Sequence, residues 1–405
     1  MATTQRVDVA VVGGGIIGLA VAWRARAHGM SVAVLERDEL GRGASHVAAG
    51  MLAPVAEVEF GEAARGALEL GLRSAGTWPA FARELGEAAG VELSLRTSGT
   101  LIVARDDDEA RELQRQLELR RSLGLRVSRL RPSQARELEP ALAPVLRMAL
   151  ECPEDHSLDP REALHALRRA CERAGVQIRE HTPVASLQRD ARGARVTGLA
   201  TSSGERLDAG EVVLAAGAWS EQLAAPVVPV AVAVRPVKGQ ILRLHDPAGA
   251  GLLSRAVRHE GGYVLPRGDG RYVLGATVEE RGFELQPSAG GVYELLREAH
   301  ELLPGISELE LDEVNVGLRP GSPDNAPVIG RAGIEGLIWA SGHHRNGILL
   351  APLSAELVLG LLDPAAARDA HARLLDVCDP RRFAAGAAPG AGSVTAGIPL
   401  AGARA

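Results

Sequence analysis

Apolar positions near the N-terminus follow two periods in succession. Over residues 7–12 (VDVAVV) they are nearly continuous and mostly β-branched, the pattern of a strand buried on both faces. A glycine cluster follows, and residues 16–28 then read as a helix ending at Gly29. Residues 31–35 resume the strand pattern and are closed by Glu36. The prediction is one βαβ unit within about 30 residues. Further along, residues 211–216 (EVVLAA) and 337–341 (LIWAS) are short apolar runs stopping at Gly217 and Gly342, as buried parallel strands do on entering a loop. Both are expected in the sheet of the first unit. Between them the character changes: Pro226, Pro229 and Pro236 crowd one stretch, and residues 262–277 hold two strand-like runs on either side of Asp269 and Gly270, a hairpin signal. This region predicts antiparallel sheet in a second domain. Residues 106–123, acidic at the start and arginine-rich later with one apolar stripe, predict a solvated surface helix.

No repeat or long linker separates the two characters, so the domains are expected to interleave. Residues 1–85, 145–225 and 320–365 are assigned to a parallel-sheet domain, and 86–144 with 226–319 to a mixed or antiparallel-sheet domain. The fold class is α/β plus α+β. Residues 384–405, mostly Ala, Gly and Pro, are expected to form a disordered tail.

Charge and composition remove several function classes. The 405 residues carry 45 basic and 51 acidic side chains, a net charge of -6, with no long basic block, which argues against a nucleic-acid partner. Cys152, Cys171 and Cys378 are odd in number, widely spaced and lack a C-x-x-C pair, which argues against disulfides and a structural metal and fits a reducing cytoplasm. Lys238 is the one lysine and has nothing beside it to support Schiff-base chemistry. Residues 9–23 are uncharged but fall short of the ~20 needed for a membrane span and are broken by glycines, so they read as strand, turn and buried helix.

Gly13-x-Gly15-x-x-Gly18 sits between the first strand and helix, with an acid, Glu36, at the end of the next strand. That is the context of a dinucleotide-binding turn. Gly13 permits the tight turn, Gly15 lets backbone N–H groups approach a pyrophosphate, Gly18 allows close helix packing, and Glu36 accepts from a ribose. The turn alone does not separate FAD from a nicotinamide. Residues 341–349 (SGHHRNGIL) lead from a strand into a helix whose N-terminus suits the pyrimidine end of a flavin, although a plain turn with solvent-facing His343, His344 and Arg345 fits equally. Arg319, in GLRPG, has the planar fork that grips a carboxylate; by residue type alone a surface ion pair is the simpler reading, as packing is for Tyr263.

A wider set of motifs adds to this reading: VVGGGIIGLA, ASHVAAGMLAP, HTPV, VVLAAGAWS, RPVKGQ, YVLPR with VLGAT, GLRPG and GHHRNGILLAP. With them the chain, from about residue 7 to about 362, resembles the glycine oxidases of the D-amino-acid oxidase superfamily, the type associated with thiamine biosynthesis. The resemblance implies non-covalent FAD contacted by Gly13, Gly15, Ile16, Ile17 and Gly18; by Glu36 and Arg37 at the ribose; by Ala44, Ser45, Ala49, Gly50, Met51 and Val184; and by His343, His344, Arg345, Asn346, Gly347, Ile348 and Leu349 at the flavin. It implies substrate contacts from Arg319, on the carboxylate, and from Tyr263 and Arg345. In relatives with covalent flavin a cysteine makes the link, and none lies between Cys171 and Cys378. His344 departs from the family, which has a large aromatic residue there. The implied reaction is oxidative deamination of glycine or small D-amino acids with dioxygen as acceptor, giving hydrogen peroxide and an imine for hydrolysis or for a thiazole synthase. Neither a metal nor a protein general base is implied, and a homo-oligomer is. A quinone-linked D-amino-acid dehydrogenase and a sarcosine oxidase-like enzyme are the alternatives.

Overall fold

The computed structural model describes residues 5–229, 232–249 and 251–384. From residue 385 onward the expected tail lies outside them. The apolar run near the N-terminus forms the strand Gln5–Val12 at the middle of an eight-stranded sheet. Parallel to it lie Arg206–Leu214 on one side and Val32–Leu35 on the other; Leu337–Ser341 and Gln177–Arg179 extend the parallel order outward. Val328–Gly330 closes one edge in the antiparallel sense. Both faces are covered, which explains the near-continuous apolar pattern: Val9 and Val11 pack on the helical side, Ala10 and Val12 on the other. Ile16–Ala27 is apolar on every side and is accordingly core, packed against Gly347–Leu362, Pro160–Ala174 and the sheet. Among the described residues one helical stretch, His344–Leu362, is apolar and long enough by composition to cross a membrane. Here its apolar surface is met by Ile16–Ala27 and Glu62–Ala89.

The second sheet runs Glu310–Gly321, Arg235–His245, Arg271–Gly275, Gly262–Pro266, Ala256–His259, Thr100–Ala104, Met148–Cys152, Ser128–Leu130. The expected hairpin is present, Tyr263 facing Gly275 and Pro266 facing Tyr272. The pairing is antiparallel except between Ala256–His259 and Thr100–Ala104. Because Met148–Cys152 belongs to this sheet, the chain returns to the first sheet after that strand rather than at residue 145. The helix Asp107–Ser122 is capped by Asp106, which accepts from the N–H groups of Asp108 and Glu109. It is less solvated than expected, since Leu113, Leu117 and Arg120 are buried. The two sheets thus alternate along the chain, and one cavity opens between them.

Candidate active site

The cavity measures roughly 800 Å3, at the upper end of small-molecule and cofactor sites (~300–1,000 Å3). It begins beyond the C-terminal ends of the parallel strands, where an open α/β sheet leaves a crevice, and runs onto one face of the second sheet.

At the first end, Gly13 has φ +106°, and a Cβ there would lie 2.4 Å from the Ala215 carbonyl oxygen. Only glycine makes this turn. The helix Ile16–Ala27 starts from Gly15 with no acidic residue in its first turn, and its positive end faces the cavity. Ser45 Oγ accepts the Ile16 N–H at 3.1 Å, and Glu36 accepts those of Gly14, at 2.7 Å, and Asp38, at 3.1 Å. Arg37 stacks on Trp219, 3.6 Å from the ring centre. Gly50, at φ +86°, fits because a Cβ would lie 2.1 Å from the Leu158 carbonyl oxygen. Arg267 donates to that carbonyl at 2.9 Å and to Ala49 O at 2.7 Å, tying the wall formed by 48–51 to the second sheet; burial pulls its pKa down to about 10. The helix Gly347–Leu362 presents a second N-terminus without an acidic first turn. Two helix N-termini and a glycine-lined wall fit a long, anionic dinucleotide cofactor.

At the second end, Arg319 lies across Gly239 of the neighbouring strand. A Cβ on Gly239 would stand 2.1 Å from Arg319 Nη1 and 2.5 Å from Nη2. Nη1 donates to Thr277 O at 3.1 Å and Lys238 O at 3.4 Å. The Nε and Nη2 edge meets no protein acceptor among the described residues, and Arg319 has no carboxylate partner there. This excludes the surface ion pair as its role. Burial lowers its pKa, Tyr263 opposes the fall and Arg345 adds to it. The Tyr263 hydroxyl sits over Gly275, where a Cβ would come within 2.5 Å of it; burial raises its pKa, so it stays a neutral phenol. Arg345 is paired with Glu59 and, at 3.5 Å, with Glu57, whose charge raises its pKa. Glu57 also accepts from Arg258 at 3.0 Å. His343 is buried with Nε2 2.8 Å from Ser354 Oγ, and His344 stands at φ +48°. Burial lowers both to about 3, aided at His344 by Arg319 and Arg345, so both rings are neutral.

Of the residues expected around the cofactor and substrate, Gly13, Gly15, Ile16, Ile17, Glu36, Arg37, Ala44, Ser45, Ala49, Gly50, Met51, Val184, Tyr263, Arg319, His343, His344, Arg345, Gly347 and Ile348 line this one cavity. Three do not. Gly18 serves packing, since a Cβ there would lie 2.0 Å from Gly13 O. Leu349 points its carbonyl away, to Ser74 Oγ at 2.6 Å and Trp78 Nε1 at 2.9 Å. Asn346 closes a turn, its N–H donating to His343 O at 2.9 Å. Sequence reasoning missed Trp219, Glu57, Arg258, Gly239 and Gly275. The glycines carried a signal: each interrupts a strand, as happens where another group approaches the backbone closely.

Residues 8–361 match the family described as FAD dependent oxidoreductase, DAO. The chain belongs to that family. It is similar to the glycine oxidase of Geobacillus kaustophilus, 35% identical over 362 residues, which are 89% of this chain and 94% of that protein. The crystal structure of glycine oxidase from that organism superposes with a TM-score of 0.83 at 36% identity, covering 89% of this chain and 95% of that one. The bifunctional protein ThiO/ThiG of Synechocystis is 34% identical over 89% of this chain, which matches 52% of its length. This oxidoreductase therefore uses FAD, and the cavity described above has the size and lining to hold it. None of its three cysteines, all buried, lines that cavity.

Proposed function

We propose that this oxidoreductase oxidises glycine and other small amino acids at the Cα–N bond, using dioxygen, and yields an imine and hydrogen peroxide. The observation that carries the reading is Arg319: a half-buried guanidinium with one edge open to the cavity, beside a neutral tyrosine hydroxyl. Such an edge takes a carboxylate through two parallel charge-assisted hydrogen bonds. Tyr263 is placed to donate a further bond. With the carboxylate held, orientation of the adjacent carbon does much of the catalytic work. FAD, when bound, supplies the two-electron acceptor that dioxygen regenerates. Burial favours the neutral amine over its ammonium form, which leaves the nitrogen lone pair available to form the imine. His343 and His344, held neutral, do not compete with Arg319 for the carboxylate.

The imine hydrolyses to a 2-oxo acid and ammonia, or passes to thiazole formation; similarity to the ThiO/ThiG protein supports the second fate. The test is a panel of glycine, sarcosine, D-alanine and D-serine, assayed for peroxide in air without an added acceptor. Peroxide with glycine is the expected result. Turnover only with an added quinone or dye would mark a dehydrogenase instead.

A further inference from the structure

We propose that Arg120 and Asp155, which lie outside the cavity, are positioning residues that aim Glu57 at Arg258 and Arg345 and thereby set affinity for a zwitterionic substrate. The proposal rests on the amino-acid oxidase reading above.

The backbone of Val55 and Ala56 is held at all four of its polar groups. Asp155 Oδ1 accepts the Val55 N–H at 3.0 Å, and Oδ2 accepts the Ala56 N–H at 2.9 Å. On the opposite edge Arg120 Nε donates to Val55 O at 2.9 Å, and Nη2 donates to Ala56 O at 2.8 Å. Its Nη1 donates to Gln116 O at 3.1 Å. Arg120 comes from the last turn of Asp107–Ser122, and Asp155 from the turn between Met148–Cys152 and His156–Ser157. Their relative exposures are 1% and 0%. Removing two charged groups from water is costly, and apolar side chains serve stability alone at least as well. What the two side chains add is a fixed backbone, because four hydrogen bonds hold the N–H and C=O groups of two adjacent residues in one orientation.

The next residue is Glu57. Its N–H donates to Ala53 O at 3.1 Å, and its carboxylate enters the cavity to meet Arg258 at 3.0 Å and Arg345 at 3.5 Å. In that place it balances two guanidiniums close to the Arg319 edge. A substrate that arrives as a zwitterion brings an ammonium into this field. With Glu57 displaced, Arg258 and Arg345 lose a counter-charge and repel the ammonium, whereas a plain carboxylate is not penalised.

The experiment uses the FAD-loaded enzyme and the variants Asp155→Asn, Arg120→Met and Glu57→Gln. Glycine KM is measured by peroxide formation, and acetate affinity by the change that acetate causes in flavin absorbance. Each clamp variant is expected to raise glycine KM about tenfold, with kcat within threefold and acetate Kd within twofold of the parent. Placed on Glu57→Gln, the clamp substitutions should change glycine KM by less than twofold more. If Arg120→Met does not fold, Asp155→Asn, which preserves shape, carries the same test. Equal weakening of glycine and acetate, an unchanged glycine KM, or a full extra loss on the Glu57→Gln background would each overturn the assignment. An unmodified enzyme that gives no peroxide from glycine would instead overturn the amino-acid oxidase reading.

Discussion

Gly239→Ala tests how Arg319 is held without touching the residue itself. The added Cβ would lie 2.1 Å from Nη1 and 2.5 Å from both Cζ and Nη2. Non-bonded carbon contacts settle near ~3.5–4.0 Å, so the guanidinium must move by roughly 1 Å or more. A displacement of that size typically costs about 100-fold where orientation drives the reaction. An independent route gives a similar figure: one hydrogen bond to a charged group, about 1.5–3 kcal/mol, corresponds to roughly a 10- to 150-fold change. Glycine KM should therefore rise between about 10- and 100-fold, measured by initial rates of peroxide formation, with FAD retained at one per chain. Arg319→Ala should raise it at least as far. On that background the Cβ has room, and Gly239→Ala should then add less than about twofold. A Gly239→Ala enzyme with unchanged KM, or effects that multiply in the double variant, would refute the idea that this glycine exists to seat the arginine.

Gly50→Ala places a methyl 2.1 Å from Leu158 O at a φ of +86°, so the purified variant should carry little FAD and melt lower. Trp219→Ala removes the surface on which Arg37 stacks; FAD should bind about 2- to 30-fold more weakly, from a contact of ~0.5–2 kcal/mol, with glycine KM unaltered in FAD-saturated enzyme. His343 and His344 are held at about 3 in the fold, below the ~6.5 of an unfolded chain. Their neutral burial is thus fully tolerated above about pH 6.5, and stability declines as pH falls from there toward 3. The melting temperature should drop between pH 7 and pH 4, and His344→Phe should lessen the drop.

The first sheet was legible because its residues obey a single rule. Strands buried on both faces are apolar throughout, and residues 7–12, 211–216 and 337–341 could be read from composition and a terminal glycine; the start of Arg206–Leu214, where exposed and buried residues alternate, could not. Gly13 was legible for the same local reason, since its turn needs φ above zero. Arg319 and Tyr263 were not, from residue type alone. What makes Arg319 a carboxylate site is a missing Cβ eighty positions away in sequence, on a strand whose register only the fold supplies. Leu349 and Asn346 misled because they share a motif with cavity-lining neighbours, while Leu349 packs in the core and Asn346 closes the turn before the helix. Arg120 was hidden by its helix, where an arginine late in the sequence suits the dipole and gives no sign that its head is buried.

If FAD in this cavity accepts electrons from an amino acid whose carboxylate Arg319 holds, glycine reduces the flavin directly. Mixing the purified enzyme with glycine in the absence of oxygen, and following flavin absorbance in a stopped-flow instrument, tests it directly. Bleaching of the yellow band at a rate that saturates with glycine, recovery on admitting air, and a greatly reduced apparent affinity in Arg319→Ala are expected. A flavin that stays oxidised with every small amino acid, or that bleaches with the same affinity in Arg319→Ala, would contradict it.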